Sequence, residues 1–357
     1  MGEEKAKHHE SPETSLFPIL QPPPGGALTG IARLAGQATP AGGRHLIEFR
    51  SLEPRSLLNR TVSARMPWMS WTINPYRGCE FGCRYCYARY THEFMERRDP
   101  ELFEREIYIK RHAAWLLRQE LKDVRPGEYI GLGTATDPYQ PIERSAQVTR
   151  SILEVFAGHS GFRLGIVTKS TLIEGDIDLL TRIAARNQLT ICLTITTPDA
   201  KLARILEPRA PRPDLRFRTV ARLRAAGLRV GILCSPLMPG ITDTARALDR
   251  MARRAKNAGA SFFASQPLFL KSCSEPVFLR FIHEHFPELE ASYAARYGGK
   301  AFVSTAYRER VAALVRAVIR KYDLDQRFSE DLPAGAEIPG PMQKELWPAA
   351  KKPPQRA

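Results

Sequence analysis

The sequence lacks long hydrophobic runs and contains few cysteines. No stretch of its 357 residues approaches the roughly 18 consecutive apolar residues of a membrane-spanning helix. The opening residues, MGEEKAKHHESPETS, contain no apolar segment of the kind that directs secretion. We therefore expect a cytoplasmic protein with no membrane partner. In that reducing compartment, cysteines that are clustered in the sequence are expected to be metal ligands or catalysts rather than disulfides.

Negative charge is also scarce. Lys and Arg number 53 against 38 Asp and Glu, which gives a net charge of +15 at pH 7. A surface this basic attracts polyanions, and nucleic acid is the commonest polyanion of a cytoplasm. A genome that favours arginine codons would give the same net charge with the charges scattered. Composition therefore makes DNA or RNA a candidate partner without selecting it.

Proline and glycine are concentrated toward the two ends of the chain. Segments such as PILQPPPGGALTG predict a flexible leader over residues 1–65, and residues 329–357 predict a Pro-rich basic tail. Between them the sequence predicts a partial barrel over residues 66–270. A C-terminal helical extension is predicted over residues 271–328, with one helix burying an apolar face.

Six apolar segments alternate with helical patterns in the middle of the chain. The predicted strands are WMSWTI, EYIGLGT, FRLGIVTKS, LTICLTITT, LRVGILCSPLMPG and SFFASQPLFL. Buried strands separated by helices are typical of an α/β fold with a parallel sheet. Six units suit an open, partial (β/α)6 TIM-like barrel rather than a closed eight-fold one. One amphipathic helix is predicted over LFEREIYIKRHAAWLLRQEL, between the first two strands.

Polar residues follow each predicted strand. TATDPYQPIE, TKS, TITTPD, CSPLMPG and SQPL come after strands two to six. Parallel α/β barrels carry their chemistry in the loops after the strands, so one large site is expected there. In LEPRAP, Glu207 and Arg209 either form an ion pair that fixes the loop or orient a substrate.

Half of the cysteines lie in one short segment, NPYRGCEFGCRYCYARY. Cys79, Cys83 and Cys86 follow a C-x3-C-x2-C spacing. A structural zinc site needs four ligands, usually as two pairs, and only His92 lies nearby as a fourth. A [4Fe–4S] cluster normally takes four thiolates, so three would leave one iron open to another ligand. A third interpretation is that the cysteines are merely small buried hydrophobes.

The cysteine spacing, with Tyr85 before the last cysteine, resembles the signature of the radical S-adenosylmethionine (radical SAM) superfamily. With DPYQPIE, VTKS, LEPRAP and PLMPGITD it is similar to the spore photoproduct lyase-like, or DNA repair photolyase-like, subgroup. The resemblance implies that Cys79, Cys83 and Cys86 hold a [4Fe–4S] cluster whose free iron binds SAM. Reductive cleavage of SAM would give a 5′-deoxyadenosyl radical that abstracts hydrogen from a substrate. It also implies a one-electron reductant such as flavodoxin or ferredoxin.

The same resemblance assigns residues to SAM. It places Tyr85 and Tyr87 beside the adenine, and Lys169 and Thr194 at positions that contact SAM. A lysine ammonium suits the SAM carboxylate, and a threonine hydroxyl suits a hydrogen bond. Asp137, after the second strand, is expected to contact SAM or the substrate.

One position departs from the subgroup. Spore photoproduct lyases carry, in the loop after the second strand, a cysteine that returns hydrogen to the product radical. Here Thr134 or its neighbour stands in that place, and a hydroxyl is a poorer hydrogen-atom donor than a thiol. Cys234, which follows the fifth predicted strand, is either a substitute donor or a buried structural cysteine. Cys192 is predicted to be a core residue, and Cys273 has no predicted role.

Three functions remain open at this point. The first is a lyase-like radical reaction on nucleic acid, and the second is modification of a protein or small molecule by the same radical. The third is a zinc-stabilised nucleic-acid-binding protein without catalysis. Aromatic residues beside basic ones, in RYCYARYTHEF and RFRTV, either stack bases or pack the cysteine segment against the barrel.

Overall fold

The computed structural model describes residues 28–44, 46–61 and 68–327, which form two β-sheets surrounded by helices. The strands are β1 (Thr39–Arg44), β2 (Ile47–Leu52), β3 (Leu58–Arg60), β4 (Trp71–Ile73), β5 (Tyr76–Arg77), β6 (Glu106–Lys110), β7 (Tyr129–Leu132), β8 (Arg163–Thr168), β9 (Gln188–Thr194), β10 (Val230–Leu237) and β11 (Phe263–Pro267). The α-helices are α1 (Gly30–Gly36), α2 (Tyr90–Glu93), α3 (Leu102–Arg105), α4 (Ala113–Glu120), α5 (Glu143–Ala146), α6 (Val148–Ala157), α7 (Ile177–Ala184), α8 (Ala200–Leu206), α9 (Pro213–Ala225), α10 (Ala245–Asn257), α11 (Glu275–His285), α12 (Glu290–Tyr297) and α13 (Thr305–Lys321). Among these helices, none combines the length and apolar character needed to cross a membrane.

The larger sheet contains all six predicted strands. Its order is β11-β10-β9-β8-β7-β4-β3, and every neighbouring pair from β4 to β11 is parallel. Strand β3 joins β4 antiparallel at one edge. Within the described residues the two edge strands, β3 and β11, do not pair with each other, so the sheet is open. The predicted α/β fold with a partial barrel of parallel strands is confirmed.

Strand β9 shows why the central strands are apolar along their whole length. Ile191 and Leu193 are fully buried in the main core. Because side chains alternate along a strand, Cys192 and Thr194 occupy the opposite face, and both are buried there as well. A parallel sheet covered on both faces requires such a run. The prediction that Cys192 is a core residue is confirmed.

On that same face the sheet is closely packed around Gly231 of β10. Gly231 is paired with Cys192, and a Cβ added to it would overlap the ring of the fully buried Phe262. A side chain at this position would displace the ring. The absence of a side chain at Gly231 therefore makes room for the aromatic core residue.

We expect Gly231→Ala to lower the free energy of unfolding by about 1–3 kcal/mol, the usual cost of overpacking a core. Gly175→Ala is the matched control, because nothing lies within 4 Å of the added methyl and the backbone there is unstrained. Urea denaturation of both variants measures the difference. Phe262→Leu in the Gly231→Ala background should recover part of the loss, and equal losses in the two glycine variants would contradict the packing argument.

The single helix predicted over residues 102–121 is wrong. The segment forms α3, then strand β6, then α4. The central residues Ile107, Tyr108 and Ile109 are β-branched or aromatic and favour a strand. Strand β6 pairs parallel with β2 and antiparallel with β5, and these distant partners override the helical pattern. His112, in the left-handed region at φ 54°, separates the strand from α4.

The prediction of a flexible leader over residues 1–65 is corrected for residues 28–61. They form α1 and the strands β1, β2 and β3, and the smaller sheet has the order β1-β2-β6-β5. Phe49 and Leu52 are buried, so this segment contributes to the core in spite of its proline and glycine. The rest of the predicted leader and the predicted tail, residues 329–357, lie outside the described residues.

Helix α13 has the predicted amphipathic character. Tyr307, Val311 and Val318 are buried, whereas Arg316 and Arg320 are exposed. The buried face packs against α10 and β11. Helix α13 therefore covers the β11 end of the larger sheet and presents arginines to solvent.

Candidate active site at the cysteine loop

The cysteine loop, residues 78–86, follows the short strand β5. Cys79 and Cys83 are buried and Cys86 is half-buried, all as free thiols. Burial raises the pKa of Cys83 to about 12, and burial together with Asp137 and the two other thiols raises that of Cys79. The thiols therefore stay protonated until a metal displaces their protons.

Cys79, Cys83 and Cys86 are the candidate metal ligands of this loop. Within the described ranges, no three His, Cys, Asp or Glu side chains are grouped as ligands of one metal ion. A single zinc ion draws each thiolate to about 2.3 Å from one point, whereas in an iron–sulfur cluster each cysteine binds a different iron.

Arg209 clamps one side of the cysteine loop. Its Nε donates to the carbonyl of Glu80, and its backbone N–H donates to that of Phe81 at 3.3 Å. The guanidinium lies over Gly82, where φ is +62° and a Cβ would collide with Nη2. Arg209 thus binds backbone carbonyls and forms no ion pair with Glu207, which excludes the predicted pairing of these two residues.

The loop after β7, which contains DPYQ, clamps the other side. Thr136 Oγ1 donates to the carbonyl of Gly78 at 2.6 Å, and the N–H of Glu80 donates to Gln140 Oε1 at 2.8 Å. Gly78 has φ +81°, and a Cβ there would lie 2.7 Å from the carbonyl oxygen of Glu106. Side chains on both sides of the cysteine loop therefore form hydrogen bonds with its backbone and hold its conformation.

A buried polar network joins the cysteine loop to the end of β9. The hydroxyl of Tyr85 donates to Glu207 and lies 2.9 Å from Thr196 Oγ1. Glu207 forms an ion pair with Arg216 at 2.6 Å, with side chains that are 2% and 1% exposed. Arg216 Nη1 also donates to the backbone carbonyl of Thr194 at 3.0 Å. Tyr85 and Thr194 are thus brought together through one carboxylate and one guanidinium.

Lys169, directly after β8, faces this network. Its Nζ lies 5.7 Å from the centre of the Tyr85 ring. Burial disfavours the charged ammonium, but Cys83 in its ionised form, together with the carboxylates of Glu207 and Asp137, outweighs that effect and raises the pKa of Lys169. The ammonium therefore remains charged beside the cysteine loop.

Asp137 holds the end of β8 in place. Its carboxylate accepts from Thr168 Oγ1 at 2.6 Å, from the N–H of Lys169 at 2.7 Å and from the N–H of Tyr139 at 3.0 Å. Burial raises its pKa despite these bonds. Because both oxygens have partners, Asp137 positions Lys169 through the backbone.

Tyr87 and Thr134 are in contact. The Tyr87 hydroxyl donates to the carbonyl of Thr134, and the Tyr87 ring packs 4.9 Å from that of Phe269. Thr134 Oγ1 accepts from Asn74 Nδ2 at 3.2 Å. The Thr134 side chain thus serves to join the loop after β7 to the segment that precedes the cysteine loop.

Cys234, Cys273 and His92 each contact a backbone carbonyl group. Cys234 lies inside β10, in the main core, with its Sγ 3.7 Å from the carbonyl of Thr196, so the expectation that it follows the strand is wrong. Cys273 lies against the carbonyl of Tyr87 at 3.9 Å. His92 is fully buried with its Nε2 3.0 Å from a carbonyl of β6, and burial lowers its pKa to about 4.

Sequence reasoning missed Arg216. Arg216 and Phe217 of RFRTV are both buried, so they do not form an exposed base-stacking surface. Arg216 instead contacts the cysteine loop through Glu207, which binds Tyr85. The signal was present, because Arg216 shares a helix stripe with the buried Pro213, Val220 and Leu223. An arginine on an apolar stripe indicates a buried acidic partner.

The chain matches one family model and several protein sequences. The model, described as the radical SAM superfamily, matches residues 73–252, about half of the chain. An uncharacterized protein of Mycobacterium tuberculosis is 31% identical over 324 residues, which cover 90% of this chain and 92% of that protein. An uncharacterized protein of Methanocaldococcus jannaschii is 25% identical over 246 residues, covering 68% and 85%.

The structure is also similar to solved structures of spore photoproduct lyase. A variant with bound AdoMet and dinucleoside spore photoproduct superposes with a TM-score of 0.59 at 15% identity, covering 77% of this chain and 79% of that one. Spore photoproduct lyase complexed with dinucleoside spore photoproduct gives a TM-score of 0.58 at 16% identity, with the same coverage. At this identity the likeness shows the fold. From the family match and the relatives, the chain belongs to the radical SAM superfamily of enzymes.

Proposed function

We propose that Cys79, Cys83 and Cys86 bind a [4Fe–4S] cluster and that SAM binds beside them, at the carboxyl ends of β7 to β10. The observation that carries this proposal is the set of three thiols on one loop clamped from both sides, with the Lys169 ammonium next to it. Three thiolates leave one iron of such a cluster available for SAM.

Within this site the side chains have distinct tasks. The Lys169 ammonium is the group we assign to the SAM carboxylate, since it is charged and faces the cysteine loop. The rings of Tyr85 and Tyr87 are assigned to the adenine side, because their hydroxyls are already bonded to protein groups. Asp137 is assigned a positioning role, and Thr194 lines the site near Arg216.

When bound, the cluster and SAM supply a 5′-deoxyadenosyl radical that removes a hydrogen atom from the substrate. The chain itself excludes water from the cysteine loop and fixes the orientation of both groups. We assign no hydrogen-donor role to Thr134 or Cys234, since a hydroxyl is a poor hydrogen-atom donor and Cys234 is enclosed in the core. The chain therefore lacks the subgroup's donor cysteine at its usual place.

We propose nucleic acid as the substrate class, with flavodoxin or ferredoxin as the electron donor. The net charge of +15 and the exposed arginines of the adjacent helices α10 and α13 support a polyanionic substrate. The exposed arginines are Arg246, Arg250, Arg253, Arg316 and Arg320. The fold is also that of spore photoproduct lyase, whose structures hold a dinucleoside.

Deuterium transfer tests both parts of the proposal. Anaerobically reconstituted protein, reduced by flavodoxin and its reductase, is given SAM with either a deuterated oligodeoxynucleotide or a deuterated peptide mixture. We expect deuterium in 5′-deoxyadenosine, measured by mass spectrometry, from the oligonucleotide alone.

The other outcomes separate the alternatives. Deuterium from the peptides alone would refute the nucleic-acid substrate and leave the radical reaction standing. Purified protein that contains zinc, without iron and acid-labile sulfide, would refute the cluster itself. A steep fall of oligonucleotide affinity with salt would support several phosphate contacts.

A further inference from the structure

A cavity of about 210 Å³ lies between α1, the β2–β3 connection and the smaller sheet. This is roughly seven times the volume of a water molecule in the liquid. Three residues of its lining are basic, Arg55, Arg77 and Lys110. Others are apolar and include Ile31, Leu34 and Leu52, and Leu52 is the register partner of Lys110 in the neighbouring strand. The cavity is therefore lined by both cationic and apolar side chains.

The three basic residues that line the cavity have no carboxylate partner within 4 Å among the described residues. Lys110 is 5% exposed, and its Nζ forms no hydrogen bond or ion pair there. Arg77 makes one long bond, from Nη1 to the carbonyl of Thr91 at 3.4 Å, and its buried Nε has no partner within the described part of the chain. The described residues that line the cavity include no aspartate or glutamate.

Glu120 is the carboxylate whose charge acts on Lys110, but it forms no ion pair with it. Its oxygens accept hydrogen bonds from the backbone N–H groups of Leu57 and Leu58. Burial, reinforced by the positive charge of Arg77, lowers the pKa of Lys110 to about 7. A buried cation without a counter-ion is unfavourable, and an anion in the cavity would relieve that cost.

We propose that this cavity binds the phosphate group of a phosphate ester. Three basic side chains that line one cavity, two of them arginines able to form paired hydrogen bonds, match a phosphate better than a singly charged carboxylate. The apolar lining residues then contact the organic part of the ester. The phosphate belongs either to a free nucleotide or to a nucleic-acid strand, and both present the same group.

The site is separate from the proposed SAM site, although Arg77 stands only two residues before Cys79 in the chain. Its test therefore does not depend on radical chemistry. Binding of inorganic phosphate, thymidine monophosphate and a short single-stranded oligonucleotide is measured by calorimetry on the full-length protein at constant ionic strength, with chloride as the reference anion.

We expect phosphate or one of its esters to bind, and Lys110→Met to weaken that binding at least 10-fold. Lys122→Met removes the same charge from an exposed position after α4 and should leave the affinity unchanged. Arg55→Gln, at an exposed residue that folding does not require, should also weaken binding. This second variant keeps the test valid if Lys110→Met fails to fold.

The relative affinities for the monophosphate and the oligonucleotide identify the source of the phosphate. Tighter binding of the monophosphate than of the oligonucleotide assigns the site to a free nucleotide, and the reverse order assigns it to a strand. The proposal is overturned if none of the three ligands binds above the chloride reference, or if Lys122→Met weakens binding as much as both cavity variants do.

Discussion

Replacing Cys83 with alanine is expected to abolish iron binding and the formation of 5′-deoxyadenosine. A cluster held by three protein thiolates has no spare ligand, so we expect the rate to fall by about 1,000-fold or more. Iron and acid-labile sulfide should fall from about four of each per chain to background. Both are measured after anaerobic reconstitution, together with the 5′-deoxyadenosine formed from SAM under reducing conditions.

Cys192→Ala is the matched control, since it removes a thiol that is equally buried but lies inside β9. It should retain the cluster and the activity. Cys83→Ala should also remain folded, because contacts from Arg209, Thr136 and Gln140 hold the cysteine loop without metal. Normal iron content in Cys83→Ala, or equal loss in both variants, would refute the assignment of Cys83 as a ligand.

The sequence predicted those parts of the fold that depend on local pattern. The parallel strands of the larger sheet were visible as largely apolar segments, most clearly β7 and β9, where both faces of the sheet are buried. Strand β6 was missed because its identity depends on pairing with β2 and β5, which no local pattern encodes. The folded segment 28–61 was missed for the same reason, since β2 pairs with β6 and β3 pairs with β4.

The residues of the candidate site could also be predicted only where a local sequence pattern identifies them. The cysteines were recognised because their spacing lies within eight positions, and Lys169 because it ends a strand. The partnership of Glu207 with Tyr85 and Arg216 joins residues up to 122 positions apart, so the sequence could not show it. Pairing of Glu207 with Arg209, one of the two alternatives for LEPRAP, joined residues that are close in sequence, whereas the structure pairs Glu207 with Arg216.

Glu207→Gln is expected to lower the free energy of unfolding by about 3–5 kcal/mol, because it leaves the buried Arg216 without its counter-charge. The control is Asp214→Asn in the exposed pair with Arg212, which has a comparable N–O distance of 2.9 Å. Those side chains are 40% and 61% exposed, so the loss there should stay below about 1 kcal/mol. Urea denaturation at pH 7 measures both.

The pH dependence of the free energy of unfolding gives an independent test of the role of the Glu207 carboxylate. Burial alone would raise the pKa of Glu207, but Arg216 and Lys169 outweigh it and lower the pKa in the folded protein. A carboxyl with a lowered folded pKa stabilises the protein above its unfolded pKa and loses that effect as the pH falls through the folded value. The difference between wild type and Glu207→Gln should therefore be full near pH 7 and shrink in acid.

The double variant Glu207→Leu with Arg216→Met separates charge from packing. If the cost of Glu207→Gln arises from an unpaired buried charge, removing both charges should restore much of the stability. Because Glu207 also binds the Tyr85 hydroxyl, the restored protein should still bind SAM more weakly than wild type in equilibrium dialysis. If stability recovers and SAM binding is unchanged, the network of Tyr85, Glu207 and Arg216 stabilises the fold without contributing to SAM binding. If stability does not recover, the packing of these side chains, rather than their charges, holds the cysteine loop.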